Sequence, residues 1–495
     1  MKSYMMAIDQ GTTSTRAILF NHNKEIVATS QKEFTQYFPQ PGWVEHDANE
    51  IWLSTLSVMS EVVLNSQIDP SEVAGIGITN QRETCVMWDR HTGLPIYHAI
   101  VWQSRQSDGI CDRWKEMGLE EKIHEKTGLR IDPYFSASKI CWILENIPHA
   151  REKALKGDLL FGTIDSWLVW KLSGQKVHIS DVSNASRTLL YNIHEMRWDE
   201  ELLKIFDIPS SILPEVKPSS YLYAKCAPYH FFNQEIPICA VIGDQQAALF
   251  GQGCLSKGSL KNTYGTGGFL LMNTGDELIE SKHGLLSTVA WQINDQVQYA
   301  LEGSIFVSGS LMQWLRDGLQ LFSNVALSEE MALSVEDSNQ VFIVPAFVGL
   351  GAPYWDEKCR GMVLGLTRGV KKEHLVRAAI ESMAYQSRDL IEAMKEDANS
   401  EITHLKVDGG AIENKLLLQF QSDLLQIPVQ RLAIKETTAL GAAYLAGLAV
   451  GFWNEDDLNQ PIEREFTPQM SKEEADENYR SWCKAVAVCR MYHGK

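Results

Sequence analysis

The chain has 495 residues, 44% of them hydrophobic and 22% charged, a balance that builds cores and excludes collagen-like, mucin-like and broadly disordered classes. At roughly one domain per 150 residues, the length predicts two or three large units. The 63 acidic and 45 basic residues leave a formal charge of -18, which repels phosphate backbones and anionic lipid headgroups and disfavours general nucleic-acid binding. A small anionic ligand on such a chain needs local help from backbone N–H groups, a metal ion or a placed Arg.

In chain order, Met5 to Ile8, Ala17 to Phe20 and Glu25 to Ala28 are short apolar segments parted by a polar turn, Asp9 to Arg16, and a second turn at Asn21 to Lys24. They predict a β-meander. Ile76 to Thr79 reads as a strand running into Asn80-Gln81-Arg82-Glu83-Thr84. Ile236 to Ile242 reads as a buried strand that ends at Gly243-Asp244 and passes into a helix, Gln245 to Phe250. The composition then loosens through Gly251, Gly253 and Gly258, which sets the expected domain division at 1–250 and 251–495. A second polar-tipped hairpin follows: Asn262 to Tyr264, the turn Gly265-Thr266-Gly267-Gly268, then Phe269 to Met272. Downstream come a helix over His374 to Met394, a strand over Ile402 to Val407 broken by Asp408-Gly409-Gly410, and a helix from about Asn414. Ala439 to Trp453 is too short to span a bilayer and reads as a buried helix. Tyr479, Trp482, Val486 and Cys489 line one face of an amphipathic tail helix. Strands interleaved with helices make this an α/β protein.

Nine cysteines, odd in number and without a Cys-x-x-Cys pair, read as free thiols of a reducing compartment. Asp9 and Arg16 interrupt the first apolar stretch before it could form a signal-peptide core, so the expected location is the cytoplasm.

The octet Asp9-Gln10-Gly11-Thr12-Thr13-Ser14-Thr15-Arg16 gathers a carboxylate, a Gly, hydroxyls and a guanidinium in one turn. That suits phosphate oxygens, and it suits a solvated hairpin equally well. Thr263 to Gly268 has the same two readings. Neither is a Walker loop, and no Gly-x-Gly-x-x-Gly occurs. Asp408-Gly409-Gly410-Ala411 with Asn414 could bed a base or ribose against bare backbone, or simply cap a helix. Asp244, between strand and helix, reads as an N-cap kept ionised by the helix dipole, or as a carboxylate that accepts a hydroxyl proton or holds Mg2+ through water. Asp9 holds the equivalent place on its own strand. Arg82-Glu83 offers donors and acceptors suited to a polyol, against the alternative of a surface ion pair. Trp102, Tyr134 and Phe269 are apolar walls or plain core.

Taken together and in this order, Asp9 to Arg16, Asn80 to Glu83, Gly243 to Gln246, Thr263 to Gly268 and Asp408 to Gly410 resemble the FGGY family of carbohydrate kinases over essentially the whole chain. The resemblance is strongest to the branch that phosphorylates glycerol. Gly42-Trp43-Val44-Glu45, Trp102-Gln103, Gly303-Ser304-Ile305-Phe306 and Thr437-Thr438-Ala439-Leu440-Gly441 support it.

The resemblance implies two ribonuclease-H-like domains of the actin and hexokinase type around an interdomain cleft. It also implies ATP and Mg2+ as cofactors, sn-glycerol 3-phosphate as product, and a homodimer or homotetramer. Carried over by position, it puts Thr12, Thr13 and Ser14 on the ATP phosphates, Thr12 also at the substrate, and Arg16 near ADP. Thr266, Gly309, Gln313, Gly410 and Asn414 become nucleotide contacts from the second domain. Arg82, Glu83, Tyr134, Asp244 and Gln245 become glycerol contacts, with Trp102 and Phe269 as walls. Asp244 becomes the catalytic base, and Asp9 with Asp244 the Mg2+ carboxylates.

Relatives inhibited by fructose 1,6-bisphosphate carry a Gly-Thr-Arg loop, and Cys226 to Glu235 has neither Arg nor Gly. Tyr229-His230-Phe231 instead resembles a loop phosphorylated on histidine by the phosphocarrier HPr. Two rivals share parts of the pattern: a family member acting on a pentulose or sugar acid, and a non-catalytic actin-like ATPase, which has no use for a polyol cluster beside Asp244.

Overall fold

The computed structural model describes residues 2–492. Thirteen strands among these residues form one continuous sheet, and two five-strand units within it repeat the same order. In the first unit, Tyr4–Gln10, Ser14–Asn21 and Ile26–Glu33 are antiparallel neighbours, and Val73–Asn80 and then Pro237–Gly243 add in parallel on the other side of Tyr4–Gln10. In the second, Leu260–Tyr264, Gly268–Gly275 and Gln296–Ile305 are the antiparallel three, and Leu405–Asp408 and then Val429–Leu432 are the parallel two. In each unit the order is third, second, first, fourth, fifth. That duplicated order is the ribonuclease-H-like arrangement expected from the sequence. Where the units meet, Ser220–Lys225 pairs with Leu286–Ile293 through a single residue pair, Ser220 and Ile293.

The continuous apolar runs are explained by burial on both faces. Met6, Ile8, Ala17 and Leu19 pack against Val58, Met59 and Val62 of the helix Ala48–Ser66. Their alternates Met5, Ala7, Ile18 and Phe20 pack against Ala442, Ala443, Leu445 and Ala446 of the helix Thr437–Val450. This second helix lies far along the chain, yet it covers the sheet of the first unit. It also crosses the helix Asp244–Gly251 at glycines: a Cβ on Gly441 would sit 1.9 Å from the Ala247 carbonyl oxygen, and one on Gly251 1.9 Å from that of Thr437. The two backbones touch where the two units join.

Residues 85–219, between the parallel strands Val73–Asn80 and Pro237–Gly243, form a layer of short helices with its own core, including Trp114, Phe135, Ile140 and Phe161. The expected tail helix runs over Lys472–Tyr492 with Trp482, Val486 and Cys489 buried. All nine cysteines are free, and among the described residues no helix is long and apolar enough to cross a membrane.

Candidate active site

The first-unit hairpin turn is braced from both sides. The Gly11 N–H donates to the Ser14 carbonyl (3.0 Å), Gln81 Nε2 donates to the Gly11 carbonyl (3.2 Å), and Gln36 Nε2 donates to the Thr12 carbonyl (3.1 Å). Thr13 stands exposed at the tip, Ser14 is buried and accepts from Gln31 Nε2 (3.0 Å), and Arg16 pairs with Glu436 at 2.9 Å. The Thr12 hydroxyl accepts from Trp102 Nε1 at 3.0 Å, tying the turn to the aromatic wall. In that wall the Trp102 ring lies 5.6 Å from Tyr134 and 6.4 Å from Phe269 of the second unit.

Arg82 and Glu83 are no surface ion pair: they are 2% and 1% exposed. Arg82 Nη1 donates to Glu302 Oε2 (2.5 Å) and Gln246 Oε1 (3.1 Å), Nη2 donates to Glu302 Oε1 (3.1 Å), and Nε lies 3.3 Å from Asp244 Oδ1. The structure corrects the expectation that Asp244 is an N-cap. The cap position belongs to Gly243 and Asp244 is the first helical residue, its Oδ1 accepting the neighbouring Gln245 N–H (2.7 Å). Burial raises its carboxyl above the usual range, outweighing Arg82 and Lys261. Burial likewise pushes Asp9 up to about 7, with Arg16 pulling down and Asp244 pushing further up. Asp9 therefore lies in the field of Asp244, with Arg16 beside the first and Arg82 and Lys261 beside the second.

The second-unit side is made of backbone. Thr266 sits exposed in the turn after Leu260–Tyr264, and its carbonyl accepts the N–H groups of Ser308 (3.0 Å) and Ser310 (3.1 Å). The Gly309 N–H donates to the Gly265 carbonyl at 3.0 Å, so the helix Gly309–Asp317 starts on this turn, with Gln313 exposed one turn along. Gly409, at φ +94°, lies so close to Tyr264 that a Cβ would sit 2.4 Å from its carbonyl oxygen. That contact brings the Leu405–Asp408 strand tip to the same rim, with Gly410 exposed beside it. Asn414 caps the next helix, its Oδ1 accepting from the Leu417 N–H at 3.0 Å. Lys261 joins the two sides: its Nζ donates to Gln245 Oε1 (2.5 Å) and to Thr263 Oγ1 (2.9 Å).

Sequence comparison bears on the same residues. Models of the N-terminal and C-terminal domains of the FGGY family of carbohydrate kinases match residues 4–251 and 260–450. The chain belongs to the FGGY family of carbohydrate kinases. It is 59% identical to a curated glycerol kinase of Bacillus subtilis (strain 168) and 60% identical to one of Geobacillus sp. (strain WCH70), each match covering 99% of this chain and 100% of the relative. Among solved structures it superposes on Plasmodium falciparum glycerol kinase with ADP at a TM-score of 0.92 and 36% identity, over 98% of both chains.

Within this FGGY chain, direct contacts link Thr12 to Trp102, Trp102 to Tyr134 and Phe269, and Arg82 to Tyr134 and Asp244, and on the second-unit side the Gly309 helix to the turn that holds Thr266, whereas His230 lies among other neighbours. His230 ends a short turn, Pro228–His230, whose neighbours are the exposed Tyr229 and the Trp52 ring at 4.9 Å. Sequence reasoning missed three buried ions of the site: Arg187, Glu302 and Lys261. Arg187 had no motif around it, whereas Glu302 immediately precedes the Gly303 to Phe306 stretch and Lys261 opens the second hairpin. For Glu302 and Lys261 the available signal was a charged letter inside a strand, because a buried ion needs a partner.

Proposed function

We propose that the protein transfers the γ-phosphoryl group of ATP to glycerol, giving sn-glycerol 3-phosphate and ADP, the first step of glycerol breakdown. The observation that carries this reading is Asp244 beside the buried Arg82-Glu83 pair, faced by Trp102, Tyr134 and Phe269. A three-carbon polyol turns hydroxyls toward the charged groups and C–H bonds toward the rings. The names of the bacterial relatives support the same acceptor, and the ADP-bound relative supports an adenine nucleotide.

In this reading Arg82, Glu83, Tyr134 and Gln245 hold the glycerol hydroxyls. Thr12, Thr13, Ser14 and Thr266 meet the phosphates, Arg16 lies near ADP, and Gly309, Gln313, Gly410 and Asn414 meet the rest of the nucleotide. The terminal hydroxyl oxygen bonds to the γ-phosphorus, the bond from that phosphorus to the ADP oxygen breaks, and the hydroxyl proton passes to Asp244. A loose transition state leaves positioning and charge neutralisation as the protein's main work. The raised proton affinity of Asp244 suits a late acceptor.

Asp9 and Asp244 fit Mg2+ as hard oxygen donors: burial holds both above the usual carboxylate range, and a bound cation would offset that cost. Bound there with ATP, Mg2+ would neutralise phosphate charge. The division at 1–250 and 251–495 is supported by the two family matches, with the Thr437–Val450 helix reaching back across it.

His230 is the second element of the reading, as a site phosphorylated by HPr. Burial and the nearby Lys171 ammonium hold its imidazole below the usual pKa, which favours the neutral nucleophile, and Lys171 could pair with the added phosphate. One assay tests both parts. ADP release measured with glycerol, xylulose and gluconate should be fastest with glycerol, and faster turnover of either sugar compound would overturn the acceptor. HPr with phosphoenolpyruvate and its kinase should raise the wild-type rate and leave His230→Ala at its basal rate; equal activation of both would remove His230.

A further inference from the structure

We propose that Arg187 and Glu302 are positioning residues of the acceptor site, closing a four-charge ring with Arg82 and Glu83. The proposal rests on the acceptor reading above and extends it to two residues that reach the substrate only through others. The ring is continuous. Glu302 Oε2 accepts from Arg82 Nη1 at 2.5 Å, Glu302 Oε1 accepts from Arg187 Nη2 at 2.9 Å, Arg187 Nε donates to Glu83 Oε1 at 2.6 Å, and Glu83 Oε1 lies 3.8 Å from Arg82 Nε. Its members come from three places: the loop after Val73–Asn80, the turn after the helix Val182–Ala185, and the strand Gln296–Ile305 of the second unit.

Four ions, none more than 2% exposed, are costly to dehydrate, and an apolar cluster of the same volume would be at least as stable. Stability alone therefore does not account for the ring. Its geometry does something specific. Glu302 takes both terminal nitrogens of Arg82, which fixes the guanidinium plane and leaves Nε 3.3 Å from Asp244 Oδ1. Glu83 sits at φ +60°, a left-handed conformation unusual for Glu, held by Arg187 on its carboxylate and by the Ser136 hydroxyl, which donates to its carbonyl at 3.0 Å. The Arg187 guanidinium also lies 5.6 Å from the centre of the Tyr134 ring. One buried cation thus touches two of the proposed glycerol contacts, and a strand of the second unit orients a third.

The test is steady-state kinetics of Glu302→Gln, with KM for acceptor and for ATP measured separately, alongside calorimetry of acceptor binding without nucleotide. Acceptor KM should rise tenfold or more and acceptor affinity fall by a similar factor, while ATP KM stays within twofold. Glu302→Asp and Arg187→Lys keep the ring's charge while altering its geometry. They are read in the same way and replace Glu302→Gln if losing a charge unfolds the chain. Unchanged acceptor KM in a folded variant, or acceptor and ATP KM rising together, would overturn the proposal. So would failure of all three variants to fold, which would make the ring a stability element. The measurement uses whichever polyol the wild type turns over, so failure of wild type on glycerol would refute the substrate reading and leave this result standing.

Discussion

The groups proposed for the acceptor and those proposed for the nucleotide on the second unit are built differently. Around Arg82 the work is done by buried side-chain charges, each with ionic partners. Around Gly265, Gly309 and Gly409 it is done by backbone, with exposed polar residues standing over close main-chain contacts. Side chains carry shape and charge that can choose one small alcohol, whereas backbone amides and bare glycine surface suit phosphates and a flat base. Selectivity for the acceptor and affinity for the nucleotide should therefore respond to different substitutions.

Three substitutions put that contrast at risk. The largest effect belongs to Asp244→Asn, which removes the proposed proton acceptor while keeping the shape. Turnover should fall by about 10²- to 10⁴-fold, with nucleotide binding unchanged by calorimetry. Retained turnover would take the base role away from this residue.

Next is Gly409→Ala. The positive φ and the close Tyr264 carbonyl leave no room for a Cβ, so the strand tips must separate at a cost of about 1–2 kcal/mol. ATP KM should rise about tenfold and acceptor KM by less than twofold. Equal rises in both would erase the division of labour.

The third effect concerns stability. Asp9 holds its proton up to about pH 7 in the folded chain, against an ordinary 3.8. Between those values the folded state binds the extra proton, so stability falls as pH rises through this window. Asp9→Asn removes the penalty. It should be more stable than wild type at pH 8, by at most about 4 kcal/mol, with little difference near pH 4, in denaturant unfolding. A gain of the same size at both pH values would mean that charge is not the cause.

Much of the site was legible as local patterns. The polar turn after Met5 to Ile8, the Gly265 to Gly268 turn and the Gly409-Gly410 break occur where turn-forming residues interrupt apolar runs. Asn414 proved to be a helix cap, as its side chain and position allowed, without excluding a nucleotide role. Arg82 and Glu83 were legible as a pair, but not as buried ions, because the groups that neutralise them lie more than 100 residues further on.

By itself, then, the sequence determined the alternation of strands and helices, the two polar-tipped hairpins and the family to which their order belongs. Those features depend on neighbours within a few residues, where backbone preference and side-chain periodicity act directly. Tertiary structure alone decided that Asp244 is buried beside Arg82, that Glu302 faces Arg82, and that the Thr437–Val450 helix covers the opposite unit. Ionisation and ion pairing depend on which distant groups share one dehydrated volume, and only the folded chain brings those groups together.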